Sequence, residues 1–288
     1  MSFELPELTG LDAYLSQNET AVGGIRTGCE KQIIWADRPK KTKVSVVYVH
    51  GFSASLGEVR PLPDLIANAF GANLFYTRLT GHGQDGAAMG RATVDEWHAD
   101  VAEALEIGAA IGDEVVVIGC STGCTLLTSA LAKGAKVKAV VHLSPNYGMR
   151  NIFARMLLRM PGIRKWGRFV VGKNISFDAR SDAHAQFWTI KYDTQAVFTM
   201  DDSVRDALRQ PIETITTPAY FAFCDADRVV SPAKTRAVMA RWAGPTKQDV
   251  LVHGPDDDTD GHVMAGDVMS PRQTAPLADR IITWLREL

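Results

Sequence analysis

Val115–Gly123 reads V-V-V-I-G-C-S-T-G, a β-branched apolar run set directly against a G-x-S-x-G turn. Such a run is the pattern of a strand buried on both faces. A serine on a sharp turn between that strand and a following helix is held in a strained conformation with its hydroxyl exposed. Glycines must flank it, because a Cβ there would strike neighbouring backbone. Gly119 and Gly123 fill those places around Ser121. Beyond the turn, Cys124, Leu127, Ala130 and Leu131 recur at helical spacing until Gly134, so a helix is expected. Its N-terminus and the Thr122 N–H would then face an oxyanion forming on Ser121.

A serine hydroxyl is a weak nucleophile at neutral pH and needs a histidine base oriented by a carboxylate. In a strand–turn–helix context the acid follows the serine along the chain and the histidine comes last. Pro218–Cys224, P-A-Y-F-A-F-C, is strand-like and opens into D-A-D-R-V-V-S-P, where Ser231 and Pro232 read as the N-cap and first position of a helix. Asp225 and Asp227 both sit at the carboxyl end of that strand, where sites in open α/β sheets gather. Asp227 leads the V-V-S-P stretch, whereas Asp225 is placed to cap the turn. Asp249–Val252 reads as the last strand, which fixes His253 at its end and leaves His262, after Gly261, on a loop able to reach Ser121. His82, His98, His142, His184 and His253 read as surface or interior histidines, His98 on an amphipathic helix and His142 on an apolar strand. Upstream, the apolar run Val44–Val49 ends in His50-Gly51-Phe52-Ser53. Gly51 allows a sharp turn, the Phe52 N–H becomes a second oxyanion donor, and His50 orients the loop.

Together, H-G-F at His50–Phe52, T-G-H-G at Thr80–Gly83, G-C-S-T-G at Gly119–Gly123, D-R-V-V at Asp227–Val230 and G-H at Gly261–His262 span most of the chain. In these motifs the sequence resembles the serine-dependent α/β-hydrolase superfamily, in particular its monoacylglycerol lipase and carboxylesterase branch. The resemblance implies an α/β fold with a mostly parallel central sheet, helices on both faces and an inserted, mainly helical cap. It implies Ser121 as nucleophile, Asp227 as acid, His262 as base, and Phe52 and Thr122 as backbone donors. The implied reaction is cleavage of a carboxylic ester with a medium to long acyl chain, or of a monoacylglycerol, through an acyl-enzyme, with no cofactor or metal. Thr122 stands where many relatives carry methionine, Cys124 where a second glycine is common, and Cys224 where an acid-loop glycine is frequent. These departures reshape the surroundings of the triad without removing it. The same triad also serves thioester, lactone, amide and carbon–carbon bond hydrolysis, and some proteins keep the fold only to bind ligands.

With 288 residues, 46% of them hydrophobic, and a net charge of -2, the chain can bury a full core and carries no concentrated basic footprint for nucleic acid. No apolar segment reaches membrane-spanning length, and M-S-F-E-L-P-E-L-T-G lacks the basic start and apolar stretch of a secretory signal, so a cytoplasmic location is expected. Cys29, Cys120, Cys124 and Cys224 form neither a zinc nor a disulfide pattern and suit reduced thiols, with Cys120 and Cys124 as packing residues. The acidic run Asp256–Asp260 lacks regular ligand spacing and reads as a solvated loop. Thr93 and Glu96 form a capping box ahead of a helix with Trp97, Val101 and Leu105 on one face; Leu277, Ile281, Leu285 and Leu288 mark the last helix.

The strand–helix rhythm breaks after Val137–Leu143 and resumes at Pro218. The expected division is a core of residues 1–144 and 211–288 and a cap of 145–210, without a clear strand in the cap. From Arg150 to Lys173 there is no acidic residue. Arg155, Arg159, Arg164, Lys165 and Arg168 alternate with Ile152, Phe153, Met156, Leu157, Leu158, Met160, Ile163, Trp166 and Phe169. One reading is a cap helix with its apolar face on the core and its arginines solvated. The other is a surface for peripheral contact with anionic lipid. Under the resemblance, Phe52, Ile152, Phe153, Met156 and Leu157 contact a small-molecule or lipid ester substrate. No sequence feature specifies an oligomer.

Overall fold

The apolar runs assemble a seven-stranded sheet in the computed structural model, which describes residues 3–288. Met1 and Ser2 of the opening segment lie outside the described residues, as do the side chains of Arg168, Val170 and Val171; the basic stretch is therefore described without the Arg168 side chain. The strands are β1 (Gln32–Ile34), β2 (Thr42–Val49), β3 (Asn73–Tyr76), β4 (Gly112–Cys120), β5 (Ala139–Leu143), β6 (Asn174–Ser176), β7 (Lys191–Asp193), β8 (Ala219–Cys224) and β9 (Thr246–Leu251). The main sheet runs β1-β3-β2-β4-β5-β8-β9; β1 is antiparallel to β3 and every other pairing is parallel.

Eleven helices accompany them among the described residues: α1 (Leu11–Val22), α2 (Leu62–Phe70), α3 (Gly86–Arg91), α4 (Val94–Ile111), α5 (Thr122–Ala132), α6 (Ile152–Leu158), α7 (Ile163–Val171), α8 (Asp182–Phe187), α9 (Gln195–Arg209), α10 (Pro232–Met239) and α11 (Pro271–Arg286). Alternation along the strands divides the core into two layers. Val46, Tyr48, Val116, Ile118 and Cys120 pack with Leu62 and Ile66 of α2 and Leu277 and Ile281 of α11. Val47, Val49, Val115 and Val117 pack on the other face with Leu15 of α1, Trp97 and Val101 of α4, Leu126 of α5 and Val238 of α10. The capping box at α4 forms in both directions, Glu96 N donating to Thr93 Oγ1 at 3.3 Å and Thr93 N to Glu96 Oε2 at 2.8 Å. Ser231 and Pro232 take the expected places at the start of α10, although the Ser231 side chain makes no capping bond.

Four features depart from the sequence expectations. The last strand begins at Thr246 rather than Asp249, because β9 is an exposed edge whose polar T-K-Q-D start carries no apolar signal. β6 and β7 form an antiparallel pair inside the stretch expected to lack strands; three residues each are too few for a period to register. The acidic run is not a solvated loop, since Asp257 and Asp258 are buried within it. Finally, α6 does not lay its apolar face on the core: Ile152, Phe153 and Met156 are 54%, 77% and 62% exposed. Ile163 of α7 is buried, the Phe198 ring of α9 lies against Gly167 and Arg164 of α7, and α9 also packs against α5, where Ser129 Oγ donates to Asp206 Oδ2 at 2.9 Å. No helix among the described residues is long and apolar enough to cross a membrane.

Candidate active site

β4 delivers Ser121 into a backbone conformation of φ 48° and ψ −109°, and α5 starts at the next residue. A non-glycine residue held there costs roughly 1–3 kcal/mol, which the surrounding packing must offset. The flanking glycines show why the turn tolerates nothing larger. A Cβ on Gly123 would lie 2.1 Å from the Val49 carbonyl oxygen, and one on Gly119 would lie 2.9 Å from the Cys124 nitrogen. Ser121 N donates to Leu143 O at 2.9 Å and Asn146 N donates to Ser121 O at 3.1 Å, locking the elbow to the end of β5.

The loops after β8 and β9 bring their side chains to this serine. His262 Nε2 lies 3.1 Å from Ser121 Oγ, and His262 Nδ1 lies 2.8 Å from Asp227 Oδ2. Asp227 Oδ1 accepts the N–H groups of Val229 and Val230 at 2.7 and 2.8 Å, which aims the carboxylate. Asp225 instead points outward to Arg236 at 2.7 Å, and His253 Nδ1 meets the Asp258 carbonyl at 3.1 Å. The structure therefore gathers Ser121, His262 and Asp227, and leaves out Asp225 and His253. Burial disfavours the His262 cation, yet the Asp227 charge and hydrogen bond outweigh it, with help from Asp258 and Glu58, and the pKa rises to about 8.

The loop after β2 passes directly over the serine. A Cβ on Gly51 would lie 3.1 Å from Ser121 Cβ and 2.6 Å from Glu58 Oε1. Gly51 N and the Tyr48 hydroxyl both donate to Glu58 Oε2, at 2.7 and 2.8 Å. Burial raises the Glu58 pKa, and these donors partly counter it. The His50 ring meets Gly51 O and Leu79 N, bridging to the loop after β3, where Trp97 Nε1 donates to Thr80 O at 2.9 Å. His50 thus organises loops, as its sequence position suggests. Cys120 and Cys124 are buried, and burial pushes both thiols well above their ordinary pKa; all four cysteines are free.

A cavity of about 470 Å³ opens onto Ser121 and His262. Its apolar wall includes Phe52, Ile175, Phe177, Trp188, Tyr192 and Val197, and its polar wall Asp178, Arg180, His184, Asp258 and Asp260. Of the substrate contacts expected from sequence, Phe52 lines the cavity, its ring 5.2 Å from that of Tyr192. Ile152, Phe153, Met156 and Leu157 do not line it. Met149 bridges to Val230 beside the acid loop, and the chain then turns into α6 with its apolar side outward. The wall comes instead from β6, β7, α8 and their connections. Their aromatic residues Phe177, Trp188 and Tyr192 are the signal that could have marked them, but they sit in or beside elements of only three to six residues, too short for a pattern to register.

A mostly parallel sheet, covered on both faces and carrying a serine–histidine–aspartate hydrogen-bond chain on loops at its carboxyl edge, defines an α/β hydrolase. The model of the Hydrolase_4 family, described as serine aminopeptidase S33, matches residues 40–254, and the chain belongs to that family. A sequence search of curated proteins finds no match. A metagenome-derived lipolytic enzyme superposes with a TM-score of 0.75 at 17% identity, covering 92% of this chain and 100% of its own. Paleococcus ferrophilus monoacylglycerol lipase gives 0.65 at 17% identity, covering 89% of this chain and 98% of its own. A soluble variant of Saccharomyces cerevisiae monoglyceride lipase, solved with a substrate analog, gives 0.65 at 10% identity, covering 90% and 91%. At such identities the likeness is one of fold.

Proposed function

We propose that this protein hydrolyses carboxylic esters through an acyl-enzyme on Ser121. The observation that carries this reading is the chain Ser121–His262–Asp227, with contacts of 3.1 and 2.8 Å, at the floor of a largely apolar cavity. Ser121 Oγ attacks the ester carbonyl carbon while His262 Nε2 takes its proton. The same imidazolium returns a proton to the departing alcohol, and water deprotonated by His262 then releases the acid. Asp227 holds the imidazole and stabilises its cation. The Phe52 and Thr122 N–H groups receive the oxyanion.

The cavity lies within the range of small-molecule sites, and its aromatic wall suits a medium to long acyl chain or a monoacylglycerol. In this reading residues 145–210 act as a cap over a core of 1–144 and 211–288, and the exposed apolar and basic side of α6 meets anionic lipid. The lipase names of the structural neighbours agree with a lipid ester. The family description favours amide hydrolysis as a second reading.

A fluorophosphonate probe with peptide mass spectrometry, followed by p-nitrophenyl esters from acetate to palmitate, tests the proposal. Labelling at Ser121 and loss of turnover in Ser121→Ala are expected, with an optimum beyond acetate. Unlabelled, inactive folded protein would overturn it. Faster turnover of aminoacyl amides than of any ester would favour the second reading.

A further inference from the structure

Asp258 stands four residues before His262 and has a side chain only 2% exposed. Its Oδ2 accepts the N–H groups of His262 and Val263, at 2.9 and 2.8 Å, so this carboxylate grips the backbone of the base itself. Its Oδ1 accepts the Asp260 N–H at 3.2 Å and meets Arg180 Nη1. Arg180 Nη2 also donates to Asp260 Oδ2 at 2.9 Å. The loop is held from behind by Ser270, whose Oγ accepts the Asp258 N–H at 3.0 Å and donates to Val263 O. Arg180 lies between β6 and α8, in the segment that forms the opposite cavity wall, with Phe177, Asp178 and His184 beside it.

A fully exposed ion pair would tie little together. Here the carboxylate is buried, and removing its cation would strand a charge away from water, so the guanidinium has a defined seat. Arg180 itself is 36% exposed, which places the pair at the cavity rim.

We propose that Arg180 is a positioning residue: through Asp258 it couples the seating of the segment between β5 and β8 to the placement of the His262 imidazole over Ser121. This rests on the reading of His262 as the base. The ionisable groups facing His262 are Asp227 from the loop after β8, Asp258 from its own loop and Glu58 from the turn after β2. Those facing Asp258 are Arg180, which also holds the Asp260 carboxylate, and His262, with His184 of α8 nearby. The negative field of Asp258 favours the His262 cation, and Arg180 opposes that field. Arg180→Ala and Asp258→Asn should therefore move the imidazole in opposite directions.

The test compares wild-type protein, Arg180→Ala, Arg180→Lys and Asp258→Asn. Each is measured for kcat and KM on p-nitrophenyl butyrate across pH, for the saturating rate of fluorophosphonate labelling, and for the pH at which the downfield His262 Nδ1 proton resonance titrates. Arg180→Ala is expected to lose about tenfold or more in kcat and labelling rate, since small misplacements of a reacting group have such effects. Arg180→Lys should recover most of the loss. Asp258→Asn should move the acid limb and the resonance midpoint down by about half a pH unit or more, while Arg180→Ala should not lower them. A rise in KM alone for Arg180→Ala, with kcat and labelling rate unchanged, would make Arg180 a mere wall residue and overturn the proposal. Coincident titrations of wild type and Asp258→Asn would overturn it too. Should Arg180→Ala fail to fold, Arg180→Lys and Asp258→Asn carry the same readouts. Wild-type protein that neither labels nor turns over would instead remove the parent reading, and the coupling with it.

Discussion

His50 accepts the Leu79 N–H on Nε2 at 3.0 Å while its Nδ1 faces the Gly51 carbonyl at 2.8 Å. One ring thereby joins the loop that covers Ser121 to the loop that carries T-G-H-G. Both bonds exist together only in the neutral tautomer with the proton on Nδ1, because a cation has no acceptor. Burial, countered by the Gly51 bond and reinforced by Arg78, lowers its pKa from 6.5 to about 4. The unfolded chain takes up the proton first, so this contribution is complete above about pH 6.5 and is lost as pH falls through about 4. The loss amounts to about 3 kcal/mol as an order of magnitude. Urea unfolding at pH 7.5 and at pH 4.5 should show the difference shrink in His50→Gln.

His142 makes a cleaner case, because its ring is stacked on Phe221 at 4.6 Å and neither nitrogen has a hydrogen-bond partner. Burial alone lowers its pKa to about 3. His142→Phe keeps the stack and removes two buried polar atoms, so stability at neutral pH should stay level or rise by about 1 kcal/mol. Thermal melts at pH 5 should favour the variant more than melts at pH 7.5 do. Destabilisation at both pH values would show that the imidazole has a role beyond packing.

His262 carries the opposite shift, to about 8, and only its neutral form can accept the Ser121 proton. Ester hydrolysis at low substrate should therefore climb with pH and level off above about 8. Stability runs the other way: the raised pKa stabilises the fold fully below 6.5, and that contribution fades as pH rises through about 8. Parallel pH profiles of kcat/KM and of urea midpoint would check both signs, and a flat rate from about pH 6 to about pH 9 would dissociate His262 from proton transfer.

The two aspartates of D-A-D-R separate by environment. Asp227 is buried and aimed at His262, so Asp227→Asn should lower kcat by about a thousandfold or more, by supporting the wrong tautomer. Asp225 faces solvent and Arg236, and Asp225→Asn should leave kcat within about twofold. Equal losses in the two variants would break the assignment of the acid.

The meeting of Ser121, Asp227 and His262 is legible in the sequence because local constraints write much of it. Gly119 and Gly123 are demanded by backbone within 3 Å, and Asp227 follows β8, whose apolar run is unambiguous, whereas the strand before His262 shows only its apolar end. The cavity wall is not legible in the same way. A helical period in Ile152–Leu158 identifies an apolar stripe but not what the stripe faces, and here it faces outward. β6 and β7 are held by tertiary pairing rather than by propensity. Asp258 is hidden inside a run of acids, and nothing in the sequence separates it from Asp256, Asp257 and Asp260.

Ile152, Phe153 and Met156 lie exposed beside Arg155 and Arg159, in a stretch without a carboxylate from Arg150 to Lys173. Apolar side chains at that spacing, accompanied by cations, match the chemistry of an anionic bilayer surface. Each cation near such a surface contributes about 1 kcal/mol, so reversing two charges should reduce partitioning by about thirtyfold or more. Flotation with phosphatidylserine-containing vesicles should retain wild-type protein, while Arg155→Glu/Arg159→Glu stays in solution and vesicles of phosphatidylcholine alone retain neither. The double variant should keep its turnover of a short soluble ester, since neither arginine lines the cavity. Equal flotation of both proteins would mean that the exposed face of α6 does not contact lipid.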